Sequence, residues 1–464
     1  MVVSTAVGDR TSISSLKQRR VNLARSIEDP VILWSGNSSG RNFKANKLPF
    51  RASSHFLYFT GMPLVNAAIR LVAGELELYL DDPPPEATLW HGTTLQRSEI
   101  GRLIGADRDY PLAELASKAA GAATIAVQDL ATYQQQCQIL NRSVSVSDRT
   151  EARDLELAEA LVKLRSQHDD LAMQELRHAA AVSVRAHQAG MQATKSSNTE
   201  AEVRGAMEGI IIAHNMNCAY NSIVTVHGEV LHNESYNNRL QPQDLLLADV
   251  GAETANGWAA DITRTWAVSG KFSSTQRDLY QVVLQAHDDC IAMLRPTVEY
   301  QDVHLRAAET IAAGLVDLGI MRGNPQDLVA MDAHALFFPH GVGHLLGLDV
   351  HDMEDLGDIA GYESGRIRSD RFGLSYLRLN RPLKSGMLVT IEPGFYQVPA
   401  ILEDAQLRDK YRDLVDWERL AQFADVRGIR IEDDVLITNS GSEVLTADLP
   451  TEIAEIEDLV SNCQ

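Results

Sequence analysis

The chain has 464 residues, enough at roughly 150 residues per domain for two or three domains. Apolar residues make up 45 % and charged residues 23 %, the usage of a globular protein able to bury a substantial core. With 42 basic against 63 acidic side chains the formal charge is −21, which excludes a general nucleic-acid binder, since that needs a basic face to neutralise phosphates.

The first ten residues lack a basic stretch followed by an apolar run, so no secretory leader is expected. No apolar run approaches the roughly 20 residues that span a bilayer, so no membrane partner is expected. Cys137, Cys218, Cys290 and Cys463 are scattered, with no C-x-x-C pair, and read as reduced thiols of a cytoplasmic protein. Ala68–Val72 and residues 76–80 read as strands, the second alternating in polarity. Asp81-Asp82-Pro83-Pro84-Pro85 then stops strand pairing, because proline has no N–H to donate. Residues 111–123 read as a helix and 124–127 as a strand. From Thr150 to about residue 193 the pattern is helical: Leu155, Ala158, Leu161 and Leu164 recur at steps of three, and Leu176, Ala179, Ala180 and Val182 follow the same logic. The domain junction is placed in this stretch. Ser197-Asn198-Thr199-Glu200 has the S-x-x-E spacing of a capping box and heads a helix buried through Val203, Met207, Ile210 and Ile211.

Two similar strand pairs follow. Residues 245–251 precede 260–266, and residues 388–394 precede 429–437. Each pair is read as giving two acids to a shared centre, Asp249 and Asp261 from the first and Glu392 and Glu432 from the second. An acid in an apolar strand is costly unless its charge is compensated, and four in matched positions point to two related halves around one centre. His340, His344 and His351 lie within twelve positions. His340 and His344 have zincin spacing, but Gly341 stands where a zincin has Glu, and Gly343 disfavours helix. The glycines suggest close backbone approach instead. Four carboxylates balance two divalent cations, and oxygen-rich ligation with one imidazole suits Mn²⁺ better than a thiolate-type Zn²⁺ site. Two ions roughly 3.5–4 Å apart can clamp a tetrahedral intermediate, which predicts a hydrolase.

Asp249-Val250-Gly251, residues 260–265, 340–352, 391–394 and 429–434 resemble, in order and spacing, the five ligand segments of the pita-bread metallopeptidases. The resemblance is to their Xaa-Pro aminopeptidase (aminopeptidase P) and Xaa-Pro dipeptidase (prolidase) branch. Residues 49–61 resemble its N-terminal domain. The resemblance implies an α+β protein: a C-terminal pita-bread (creatinase/aminopeptidase-like) catalytic domain over 166–464, after a smaller aminopeptidase P-like α/β domain over 1–165. It implies that Asp249 chelates one ion, that His344 and Glu392 hold the other, and that Asp261 and Glu432 bridge both. Val230-Leu231-His232-Asn233-Glu234 matches the segment whose histidine lies beside the substrate, with Asn233 where many relatives carry tyrosine. The resemblance further implies that His340 stands behind the ligands and His351 faces the substrate, with His351 donating to the scissile carbonyl oxygen, and that Glu392 is the acid/base partner. Arg378 and Arg430 fall on the substrate side. Arg378 matches the prolidase arginine that can pair with a dipeptide's carboxylate.

The implied reaction removes an N-terminal residue preceding proline, a tertiary amide without an N–H that family members typically take in the trans form. The alternatives are a dipeptidase for X-Pro and, further off, an inactive peptide-binding relative or a creatinase-like hydrolase. Proline-containing peptides are the implied partners, and a homo-oligomer (dimer or tetramer) the implied assembly. Residues 397–426, with Leu414, Trp417, Leu420 and Ala421 at helical spacing, read as an insertion that packs as a surface helix, or alternatively narrows the cleft.

Overall fold

A computed structural model describes residues 10–144 and 151–461; Thr150 and Cys463 lie outside them. The chain forms two compact units. The first extends to Met173 and includes the short segments Ala255–Gly257 and Met353–Ala360. The second comprises Gln174–Thr254, Trp258–Asp352 and the chain from Gly361 onward.

The first unit is built on a four-stranded sheet in the order Val31–Trp34, Ala68–Val72, Glu75–Tyr79, Arg108–Tyr110. The first three strands are antiparallel and the last is parallel to its neighbour. Ala73 and Gly74, both at positive φ, make the tight turn that joins the two central strands, the geometry that matches strand twist. Ile32, Trp34, Tyr79 and Leu115 form the core on one face. Arg20 is buried and donates to the carbonyls of Phe59, Ile104 and Gly105. Those oxygens end the helices Ser54–Thr60 and Arg97–Leu103, so the guanidinium satisfies carbonyls that no further turn would reach.

Two expectations fail in this unit. Residues 111–123 form a 3₁₀ stretch only over Leu112–Lys118 and a single parallel bridge of Ala123 to Val31, and 124–127 make no strand. Side chains take the backbone groups that a ladder would use. Asp154 accepts from the Thr124 amide at 2.8 Å. Gln136 accepts from the Val127 amide at 3.0 Å and donates to the Ile125 carbonyl at 2.9 Å.

In the second unit the strands Ile223–Thr225, Leu245–Asp249 and Thr263–Ala267 form one antiparallel sheet. Leu388–Ile391, Asp433–Ile437 and Ser442–Val444 form another, and Gly394–Tyr396 pairs with Gly428–Arg430. Register sets Thr263 opposite Asp249 and Ile391 opposite Asp433. The two halves meet where the Glu432 amide donates to the Thr263 carbonyl at 3.0 Å.

The capping box is absent. The helix runs Glu200–Ala213 behind Thr199, with no side-chain cap. Ser197 instead donates to the Ala193 carbonyl at 2.9 Å, so its hydroxyl closes the preceding turn. Residues 397–426 form three short helices, Pro399–Leu402, Ala405–Lys410 and Trp417–Ala421, in place of one. Asp404 and Asp416 start two of them as N-caps, and Leu414 lies between helices. No described helix is long and apolar enough to cross a membrane.

The first unit holds a partly exposed carboxylate, Asp355, whose contact with the buried His55 depends on pH. Nη1 of Arg165 donates to Nδ1 of His55 at 2.9 Å, and Nε2 of His55 lies 3.0 Å from Asp355. Burial alone would raise the Asp355 carboxyl, but His55 and Arg165 hold it at about 2, below its ordinary 3.8. A carboxyl lowered on folding contributes stability above its ordinary pKa and loses it as pH falls through the folded value. Asp355→Asn is therefore expected to be less stable than wild type by about 1 kcal/mol near neutral pH, the shift being discounted for the carboxylate's exposure, with the gap closing between about pH 4 and 2, read by chemical denaturation across that range.

Candidate metal centre

The four strand acids converge. Asp249 ends its strand, Asp261 stands two residues before the antiparallel partner, Glu392 follows Leu388–Ile391 and Glu432 precedes Asp433–Ile437. All four line one cavity of about 350 Å³, together with His232, His340, His344, His351, Arg378 and Arg430. Every residue singled out from the sequence therefore reaches the same space. Asp261, His344 and Glu432 place ligand atoms within 4.8 Å of one another.

Hydrogen bonds fix which atoms face inward. Nδ1 of His344 donates to the Leu345 carbonyl at 3.0 Å. That leaves Nε2 as the lone-pair nitrogen, 3.5 Å from Asp261 and 3.5 Å from Glu392. The His351 ring packs edge-on against it, with centroids 4.3 Å apart. Nδ1 of His340 donates to the Gly341 carbonyl at 2.8 Å, so its Nε2 accepts from the Tyr396 hydroxyl at 2.9 Å. Tyr396 in turn accepts from Arg430 at 3.0 Å. Arg430 also donates to Asp249 at 2.6 Å and to Thr263 at 2.9 Å. Thr263 passes its hydroxyl proton toward Glu432 at 2.7 Å. Arg430, read from the sequence as a substrate arginine, thus has its guanidinium directed at Asp249, Tyr396 and Thr263.

Tyr220, Tyr396 and Thr263 escaped the sequence reading. The Tyr220 hydroxyl lies 2.5 Å from both Asp249 and Asp261. It sits in Asn217-Cys218-Ala219-Tyr220, which carries no acid, histidine or periodic pattern to mark it.

The electrostatics favour added cations. Burial first, then neighbouring carboxylates, raises Asp261 to about 7 and Glu432 well above its ordinary range. Glu392 is raised to about 7 by burial, against the pull of His344 and Arg430. His340 is driven down to about 3 by burial and by Arg430, so it stays a neutral hydrogen-bonding ring. Of the four carboxylates, Arg430 donates to Asp249. The donor set, carboxylate oxygens plus one imidazole nitrogen, fits divalent metal ions.

Residues 174–439 match the family model described as Metallopeptidase family M24, and residues 16–128 match that of the Aminopeptidase P, N-terminal domain. A probable Xaa-Pro aminopeptidase of Penicillium rubens is 33 % identical over 423 residues, covering 89 % of each chain. One of Fusarium vanettenii is 34 % identical over 425 residues, 89 % of this chain and 88 % of that one. Aminopeptidase PepP of Pseudomonas aeruginosa has a TM-score of 0.80 at 27 % identity, over 97 % of this chain and 98 % of that one. Escherichia coli aminopeptidase P with the inhibitor Pro-Leu has a TM-score of 0.78 at 26 % identity, over 97 % and 99 %. Fold and site together define a metallo-exopeptidase of the pita-bread fold. The chain belongs to metallopeptidase family M24, in its Xaa-Pro aminopeptidase branch.

Gly343 lets the histidine segment approach the acids. A Cβ there would lie 2.2 Å from the Thr390 carbonyl oxygen and 2.2 Å from the Tyr300 hydroxyl. Gly343→Ala is expected to push His344 off Glu392 and to cost about 1–3 kcal/mol of overpacking. A thermal melt should show a lower midpoint and a smaller stabilisation by an added divalent cation than wild type.

Proposed function

We propose that the chain is an Xaa-Pro aminopeptidase whose centre holds two divalent cations, Mn²⁺ by preference. Asp249 would hold one ion, His344 and Glu392 the other, with Asp261 and Glu432 shared. The observation that carries this is the convergence of four carboxylates and one oriented imidazole on a cavity whose remaining wall bears His232, His351 and Arg378. When bound, the ions supply Lewis acidity toward the scissile carbonyl and acidify water at neutral pH.

The protein's own groups do the rest. His351 and His232 stand on the wall of the cavity. His351 donates to the carbonyl oxygen of the first residue as negative charge builds there. Glu392 takes the proton of the attacking water on its carboxylate. It returns that proton to the departing proline nitrogen, a secondary amine that leaves poorly unless protonated. Tyr396 and Arg430 keep Asp249 and His340 in place and exchange no proton with substrate. Cys137, Cys218 and Cys290 are free thiols, which supports a reducing, cytoplasmic compartment.

A dipeptidase is the second reading. Arg378 and Tyr376 line the cavity, and a guanidinium there could pair with the C-terminal carboxylate of an X-Pro dipeptide. With Mn²⁺ supplied, release of X from X-Pro-Y tripeptides is the expected result, and cleavage of X-Pro alone would establish the dipeptidase. Glu392→Gln should lower kcat by about 10²–10⁴-fold. Asp261→Ala and Glu432→Ala should abolish turnover and the stabilisation by Mn²⁺. A peptide-binding module would tolerate both.

A further inference from the structure

Glu200 was marked in the sequence as half of a capping box, and the structure gives it other work. Its side chain is fully buried at the first turn of Glu200–Ala213. A carboxylate there is costly unless donors surround it. The donors all come from residues 225–238. Oε1 accepts from the Thr225 hydroxyl at 3.0 Å, the Val226 amide at 2.8 Å and the Asn238 side chain at 3.1 Å. Oε2 accepts from the Asn238 amide at 3.3 Å and its side chain at 3.0 Å.

The backbone repeats the attachment. The amides of Glu200 and Ala201, which no turn of their own helix can satisfy, donate to the carbonyls of Asn238 and Tyr236. Residues 226–238 contain neither helix nor strand, so these bonds fix their course. One bond reaches further. The Thr225 hydroxyl gives its proton to Glu200, so it can only accept from Asn233, whose side-chain amide lies 2.6 Å away. The Asn233 carbonyl oxygen accepts from the Ser235 amide at 2.9 Å, which settles the orientation of that side chain. Asn233 is the neighbour of His232, and His232 is on the cavity wall.

We propose that Glu200 is a positioning residue: through Thr225 and Asn233 it anchors the 226–238 loop and holds His232 at the substrate side of the cavity. The inference rests on the reading of His232 as substrate-facing, and its test separates the two. Glu200→Gln keeps the shape but turns an amide toward the donors. Asn233→Ala, in a half-buried loop position, cuts the link to Thr225 and the local bond to the Ser235 amide and leaves the core intact.

Hydrogen exchange of the full chain, followed by peptide, is expected to rise at least tenfold over 226–238 in both variants and to stay at the wild-type level elsewhere. With Mn²⁺ and an Xaa-Pro peptide, kcat/KM should fall by up to about 10²-fold, the scale of a small misplacement of a binding group. Adding Asn233→Ala to His232→Ala should cost nothing further, because both act through the same imidazole. Unchanged exchange over 226–238 overturns the anchor. A full additional loss in the His232→Ala background overturns the route through His232. A fully active His232→Ala would refute the substrate role of His232, and the exchange measurement, which needs no turnover, would still decide whether Glu200 holds the loop.

Discussion

The structure of the second unit follows from the repulsion among four carboxylates brought into one cavity. Nothing in an apolar sheet tolerates them unaided. The fold answers with one guanidinium, one shared phenol and one imidazole whose lone pair is turned inward. That answer is incomplete by design of the donor set, since Asp261, Glu392 and Glu432 all remain raised. The remaining charge is what a metallopeptidase uses.

The contrast between adjacent acids makes the point. Glu432 faces the cavity, whereas Asp433 faces away from it onto Arg264 at 2.9 Å and His287 at 3.0 Å. Burial would raise both, yet Arg264 and His287 hold Asp433 at about 2, whereas the pull of Arg430 on Glu432 is outweighed by burial and by Asp261, Glu392 and Asp249. One step along a strand turns the side chain to the other face, so a single strand start supplies a structural ion pair on one side and a candidate metal ligand on the other. Arg264 also donates to the Glu432 carbonyl at 2.7 Å and to the Leu449 and Pro450 carbonyls, which ties the ligand's backbone to the C-terminal segment.

The acids and histidines were legible because each breaks a local rule: a charge in an apolar strand, or glycines among histidines. Their partners were not. Tyr220, Tyr396 and Thr263 are ordinary residues in ordinary strands and turns, and only the tertiary register brings them to the carboxylates. Glu200 was visible but misassigned, because S-x-x-E spacing is local while its donors lie 25 to 38 positions away. The 111–127 region failed for the same reason. Asp154 and Gln136 capture its backbone groups, and no window over 111–127 contains either of them. The long helices and the central strands of both units were readable since their periodicity already encodes which face is buried.

The cavity is enclosed by two kinds of support. Strands carry the acids, and their register leaves those groups little freedom. Loops carry the groups that would meet substrate, and two of them are held by bonds from outside the cavity. On one side Glu200 receives residues 225–238. On the other, Nε2 of His304 approaches the Gly373 carbonyl at 2.8 Å, and Tyr362 donates to the Leu377 carbonyl at 2.7 Å. Those bonds fix the segment that presents Tyr376 and Arg378. A metal site needs ligands that do not move, whereas a peptide site must admit and release its substrate. Placing the first on paired strands and the second on anchored loops lets one small cavity meet both demands.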